Sequence, residues 1–213
     1  MARSLDPNRP TAILQAARKV FLQQGYINAR MTDIAEEAGV AAGTLYRYFE
    51  SKEMLAQALS EQLFDRLTHD LIPLLSMATG PDILPEILAT VLLVAEDYRD
   101  VLTIAPMRLG NGRDPVARRP RRQFVSKLAI VLGEQMAQGV IRHYEPQSLA
   151  DMMTVLLQRF VMECLVWQEG QQQHYEATVI RMFQLTLFSE TQPPSYINQP
   201  AFTMLRSRND ANS

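Results

Sequence analysis

The side chains best suited to chemistry lie close together in one short stretch, GTLYRYFESKEML, which begins at Gly43. A hydroxyl, two phenols, a guanidinium and an ammonium follow one another there, on Thr44, Tyr46, Tyr48, Arg47 and Lys52. All of them donate hydrogen bonds and two are cationic. Arginine forks onto guanine or phosphate, and hydroxyl and ammonium groups bind phosphate oxygens. The stretch therefore predicts contact with a nucleic acid.

A turn just before this stretch would hold it at a fixed angle. Two short amphipathic segments, at about 31–38 and 42–49, are separated by Ala38, Gly39 and Val40. A glycine there takes a positive φ at little cost, so the chain reverses within a few residues. This is the layout of a helix-turn-helix, whose second helix enters the DNA major groove. The predicted DNA-binding residues are Arg30, Ala42, Gly43, Thr44, Tyr46, Arg47, Tyr48 and Lys52.

The remaining segments also have helical periodicity, and alternating strand patterns are absent from the sequence. We predict helices from about residue 7 to Gly25 and then over 31–38, 42–49, 51–76, 81–105, 119–142, 146–169 and 173–189. The expected fold class is all-α. It consists of an N-terminal three-helix helix-turn-helix DNA-binding domain and a C-terminal helical domain.

Charge is unevenly distributed along the 213 residues. Residues 1–52 hold seven Lys and Arg against five Asp and Glu, whereas residues 53–213 hold fourteen against eighteen. A basic segment on an acidic body suits a small polyanion-binding module attached to a larger domain. We expect a DNA-binding domain at 1–52, a helical body at 53–190 and a flexible tail, rich in Pro, Asn, Gln and Ser, at 191–213.

Composition also indicates where the protein works. The single cysteine, Cys164, excludes an internal disulfide, which favours a reducing, cytoplasmic location. The first ten residues lack the apolar core of a signal peptide, and no apolar run is long enough to span a membrane. We therefore expect no membrane partner.

The stretch from residue 13 to about residue 59 resembles the DNA-binding domain of the tetracycline-repressor (TetR) family. Three motifs carry the resemblance, AARKVFLQQGY, DIAEEAGV and GTLYRYFESKEML, in the family's order and spacing. They cover roughly the first quarter of the chain. The resemblance implies a homodimer that binds a palindromic double-stranded DNA operator. It also implies a C-terminal domain that binds a small molecule and then releases the DNA.

The chain departs from the family pattern at two helix starts. Family members usually carry Thr or Ser just before the second helix, where this chain has Ala29 and Arg30, and Ser or Thr where it has Ala41. Two side-chain caps and phosphate contacts are therefore missing, and we expect Arg30 to replace one contact. Base readout would then fall on Thr44 and Arg47, with alanine contacts to thymine methyls.

The last two predicted helices are apolar around most of their circumference, which indicates burial on more than one side. One interpretation is a C₂ four-helix bundle with two helices from each copy, with Phe183 and Leu187 at the interface. The alternative is burial under other helices of the same chain.

If Arg30, Arg47 and Lys52 each contact phosphate in both copies, the slope of log affinity against log salt should be roughly −5.

A ligand site is expected among the helices of the body. Its predicted lining residues are Phe64, Ile104, Met107, Phe124, Leu128, Phe160 and Trp167. Arg99, His143, Gln158 and Glu163 are candidate polar anchors. We interpret Cys164 as a small buried hydrophobic residue rather than a redox sensor.

Enzyme signatures are missing from the sequence. The three histidines are scattered without metal-ligand spacing, and no phosphate loop or nucleophile elbow is present, so we expect no catalysis, cofactor or metal. The leading hypothesis is a ligand-responsive transcriptional repressor. A helical small-molecule-binding protein with weak or vestigial DNA binding is the alternative, favoured by the uncapped start of the third helix. A third hypothesis is an activator or a ligand-independent architectural DNA-binding protein.

Overall fold

A computed structural model gives the arrangement of residues 8–102, 119–167 and 172–188. In these ranges every regular element is helical, so the predicted all-α class is confirmed. None of the helices described is both long and apolar enough to cross a membrane. The tail predicted at 191–213 lies outside the described residues, as do Ile104 and Met107.

The described helices follow one another in chain order. In order they are α1 (Arg9–Asn28), α2 (Met31–Glu37), α3 (Ala42–Tyr48), α4 (Lys52–Ser76), a 3₁₀ turn (Pro81–Ile83), α5 (Leu84–Asp97), α6 (Arg119–Ala137), α7 (Pro146–Val161), a π-helical segment (Met162–Trp167) and α8 (Gln172–Leu187). Residues 99–102 are also helical.

Three predicted helix limits are wrong. The helix expected over 81–105 breaks at Tyr98, whose φ and ψ of −118° and 25° leave the helical range. The helix expected over 119–142 ends at Ala137, because Gly139 takes a φ of 73° and closes a C-terminal cap. α1 does not end at Gly25. That residue has a φ of 75° and kinks the helix, which resumes for one further turn.

Two compact units make up the chain, namely residues 1–63 with 100–120, and residues 64–99 with 121–213. α4 is continuous and contributes to both. The domain boundaries expected from the sequence, after residues 52 and 190, remain predictions.

The first unit has its own apolar core. Every third or fourth residue of α1 points inward, and residues from α2, α3 and the first turns of α4 complete the core. Its fully buried members are Ile13, Ala17, Ile34, Leu45, Leu55 and Leu59. Helices as short as α2 and α3 are not stable alone, so this shared core is what holds them in place.

The second unit is built around α5, which is buried on nearly every side and contacts both α7 and α8. α7 begins at a well-formed cap, since the Glu145 carboxylate accepts hydrogen bonds from the N–H groups of Gln147 and Ser148 at 3.1 and 2.6 Å. These bonds hold the pKa of Glu145 below its usual value. The start of α7 is thereby fixed by its own sequence.

Candidate nucleic-acid interface

The turn between α2 and α3 has the geometry expected from its glycine. Gly39 takes a φ of 64°, and its N–H donates to the Glu36 carbonyl at 3.0 Å. The N–H of Val40 donates to the Ala35 carbonyl at 2.9 Å. This bond pair closes α2 in a Schellman motif, which requires the positive φ that glycine provides. α3 starts three residues after the glycine, so the angle between the two helices is set locally.

α3 has one buried side and one exposed side. Leu45 and Phe49 lie in the core, whereas Tyr46 and Arg47 are exposed, as are Ala42 and Gly43 at the start of the helix. Thr44 and Tyr48 are half-buried at the boundary. The helix therefore offers solvent a short surface with a guanidinium, a phenol and two residues without bulk. Such a surface can approach base edges closely.

The start of α2 is capped by a residue inside the helix. The backbone N–H of Arg30 donates to the Asp33 carboxylate at 3.4 Å, and the first helical bond runs from the Ile34 N–H to the Arg30 carbonyl. The Arg30 side chain is exposed. Asp33 thus contributes to the cap that Ala29 and Arg30 cannot supply, and leaves the Arg30 guanidinium on the surface. At α3, by contrast, Ala41 gives no side-chain cap.

The Lys52 ammonium is held by backbone carbonyls at the end of α1. Its ammonium donates to the backbone carbonyls of Tyr26, Ile27 and Ala29 at 2.6, 3.0 and 2.9 Å. The same nitrogen is 4.7 Å from the centre of the Tyr26 ring. An ammonium has three donors, and here three carbonyl oxygens accept from it. The sequence could not show this, because it depends on where α1 ends in space.

Two ion pairs on neighbouring residues of α1 were also not predicted from the sequence. Arg18 holds Asp100 through two hydrogen bonds of 2.5 and 2.7 Å, and Asp100 is almost wholly buried. Lys19 meets Glu37 of α2 at 2.7 Å on the surface. The partner of Arg18 lies 82 residues away, beyond any local pattern.

The predicted ligand residues are only partly brought together. The rings of Phe64 and Phe124 lie 5.7 Å apart, centre to centre, in a tilted arrangement. Leu128 and Phe160 are buried. The side chain of Trp167, like Ile104 and Met107, is outside what the structure describes. Of the polar anchors, Arg99 donates to the Leu165 carbonyl, Glu163 pairs with Arg159, and His143 and Gln158 are exposed.

Cys164 is buried beside acidic side chains. Burial, together with the negative charges of Glu176 and Glu163, raises the pKa of its thiol to about 12. The thiol therefore stays protonated and unreactive at neutral pH. Within the described ranges, no three His, Cys, Asp or Glu side chains group as metal ligands.

α7 and α8 each carry apolar side chains on an outer surface as well as an inner one. The outer apolar face, as we call it, consists of Met152, Val155, Leu156, Tyr175, Met182 and Leu185, all exposed in the single chain. Phe183 and Leu187, expected at an interface between copies, are only 4% and 3% exposed. That expectation is wrong, because both residues pack into the core of their own chain.

The domain is a helix-turn-helix DNA-binding domain. It has a glycine turn with a positive φ, two short helices that share one core, and an exposed, basic second helix. Residues 13–59 match the model of a family described as bacterial regulatory proteins, tetR family. This match identifies residues 13–59 as a DNA-binding domain of the TetR-family type.

Individual relatives share the domain or the fold. An uncharacterized HTH-type transcriptional regulator of Bacillus subtilis, YvdT, is 34% identical over 96 residues, which are 43% of this chain and 48% of YvdT. The chain thus aligns with about half the length, or less, of the curated relatives it matches.

Two solved structures extend the likeness to the whole fold. The fatty acid degradation regulator FadR of Bacillus halodurans has a TM-score of 0.70 at 19% identity, over 85% of this chain and 97% of that one. FadR of Bacillus subtilis, solved in complex with stearoyl-CoA, has a TM-score of 0.66 at 18% identity, over 82% and 97%. At these identities the likeness establishes the fold.

Proposed function

We propose that the protein is a ligand-responsive transcriptional repressor that binds a palindromic DNA operator as a homodimer in the bacterial cytoplasm. The observation that carries this proposal is the exposed side of α3, held at a fixed angle by the Gly39 turn within a TetR-family domain. Arg47 is placed to fork onto a guanine, and Arg30 to reach a phosphate beside α2. Tyr46, Thr44 and Tyr48 supply hydroxyl donors around them.

The outer apolar face supports the homodimer. Six Met, Val, Leu and Tyr side chains of α7 and α8 are exposed in the single chain, and exposed apolar patches commonly mark protein–protein contacts. A second copy would cover it with an identical face, as C₂ symmetry requires. The dimer presents two copies of α3, which matches an operator made of two half-sites.

The second unit is the proposed ligand domain. Its apolar interior, including the paired rings of Phe64 and Phe124, suits a small molecule with an apolar part. The ligand can release DNA only to the extent that it prefers the conformation that binds DNA less well. Stearoyl-CoA, which the Bacillus subtilis FadR holds, is one compound to test.

The proposal is tested by selecting bound duplexes from a random-sequence pool with the purified protein. A palindromic consensus is the expected result. Arg47→Ala should then weaken binding to that duplex by about 1–3 kcal/mol and relax the preference at one base pair of each half-site, if Arg47 reads a guanine. If Arg47 holds only phosphate, affinity should fall equally on selected and random DNA.

Arg122→Ala is the matched control, because Arg122 is also an exposed arginine but lies on α6 in the second unit. It should leave the selected duplex bound as tightly as before. If no duplex is enriched, the alternative of a small-molecule-binding protein with vestigial DNA binding takes precedence. That alternative would accord with the uncapped start of α3 at Ala41.

A further inference from the structure

The end of α1 and the start of α4 meet around one ammonium group. Three backbone carbonyls, those of Tyr26, Ile27 and Ala29, accept hydrogen bonds from Lys52 at 2.6–3.0 Å. These carbonyls belong to the last turn of α1 and the residue after it. The C-terminal carbonyls of a helix have no partners within the helix and carry partial negative charge. Lys52 therefore satisfies and neutralises the end of α1.

The aromatic ring beside the ammonium adds a second connection. Tyr26 lies under Lys52, with 4.7 Å from the nitrogen to the ring centre, and its hydroxyl donates to the Glu53 carboxylate at 3.2 Å. A cation over a tyrosine face is attracted by the ring. Two consecutive residues of α4 thus hold one residue of α1. We call Tyr26, Lys52 and Glu53, with the three carbonyls, the α1–α4 clamp.

The clamp fixes the point at which α2 begins. Gly25 kinks α1 with a φ of 75°, and the chain continues through the buried Ala29 directly into Arg30. Arg30 is the residue at which α2 starts, and its exposed side chain is the proposed phosphate contact. Without the ammonium, these three carbonyls just before Arg30 would lose the hydrogen bonds that Lys52 donates.

Resting on the proposed function, we propose that Lys52 is a positioning residue of the DNA-binding domain and not a phosphate contact. It acts through the backbone of residues 26–29, which it holds against α4, and so places Arg30 and α2. The proposed cationic contacts that remain are Arg30 and Arg47 in each copy. If both hold phosphate, four contacts predict a salt slope of about −3.6, at about 0.9 for each, instead of roughly −5. If Arg47 reads a guanine instead, the two Arg30 contacts predict about −1.8.

The test measures affinity for the selected duplex across a salt series. Lys52→Met removes the ammonium, and the clamp predicts a loss of roughly two- to thirtyfold with a nearly unchanged salt slope. Arg30→Met is the matched control, and it should reduce the slope by about 1.8 as a phosphate contact is lost from both copies. A fall of about 1.8 for Lys52→Met, or no change in affinity, would overturn the inference.

Lys52→Arg separates the two roles while keeping the charge. A planar guanidinium cannot reproduce three converging donors on three carbonyls, but it binds phosphate at least as well as an ammonium. The clamp therefore predicts weaker binding at unchanged slope, whereas a phosphate contact predicts full binding. This variant also serves if Lys52→Met does not fold.

Amide hydrogen exchange of the DNA-free protein makes the test independent of the proposed function. Residues 26–30 should exchange faster in Lys52→Met than in the wild type, while the Gly39 turn should not change. If residues 26–30 exchange as slowly in Lys52→Met as in the wild type, the clamp is contradicted, whether or not the protein binds DNA. If the wild type enriches no duplex but the exchange result holds, the proposed function fails and the clamp remains.

Discussion

The ion pair between Arg18 and Asp100 should contribute much more to stability than its neighbour on α1. We propose Asp100→Asn, which keeps the shape of the side chain and removes its charge. The Asp100 side chain is 4% exposed, and the Arg18 side chain is 32% exposed. Removing one partner of a buried pair costs about 3–5 kcal/mol. Because about a third of the Arg18 side chain is exposed to water, we reduce that figure by about a third, to roughly 2–3 kcal/mol.

Urea unfolding measures the effect. With an m-value of about 2 kcal/mol per molar urea, the midpoint should fall by about 1–1.5 M at unchanged m. Glu37→Gln is the control, because it removes the exposed pair with Lys19, whose side chains are 58% and 31% exposed. Its cost should stay below about 1 kcal/mol. Protein concentration must be equal throughout, since the proposed dimer links stability to concentration.

The result that refutes this reasoning is an equal midpoint shift for the two variants. Salt gives a further check, because a buried pair is screened less than an exposed one. The difference between Asp100→Asn and the wild type should therefore persist at high salt. The effect of Glu37→Gln should fade.

Three further measurements test other parts of the structure. Met152→Glu combined with Met182→Glu should give a folded monomer by light scattering, whereas Ile130→Glu, equally exposed on α6, should remain a dimer. A dimer in both would contradict the assigned interface. Cys164 should resist thiol reagents until the protein unfolds, because its thiol has a pKa of about 12; rapid native labelling would disprove its burial. Glu145→Gln should destabilise at neutral pH. Since the folded-state pKa of Glu145 is lowered, its contribution is present above the unfolded-state pKa and is lost as pH falls through the folded value. The variant and the wild type should therefore converge in acid.

Local features were predictable from the sequence, and features that depend on distant partners were not. The Gly39 turn and the inward placing of Leu45 and Phe49 follow from spacing and from the conformational freedom of glycine. The apolar character of α8 was also predictable from the sequence. However, an all-round apolar helix does not reveal which side faces its own core, so Phe183 was assigned to the wrong surface. The partners of Arg18 and Lys52 lie 82 and at least 23 residues away, and only the folded chain brings them together.

The clamp limits how the proposed ligand could control DNA binding. α4 is one continuous helix, from Lys52 in the first unit to Ser76 in the second. A helix transmits displacement along its axis, so a ligand that shifts α4 also shifts its first turn. Lys52 and Glu53 in that turn hold Tyr26, which means that the end of α1 and the start of α2 must follow. The DNA-binding domain would then move as one body, and the two proposed DNA contacts, Arg30 and Arg47, would be displaced together. If the clamp carries this movement, weakening it with Lys52→Met should reduce the coupling between ligand and DNA.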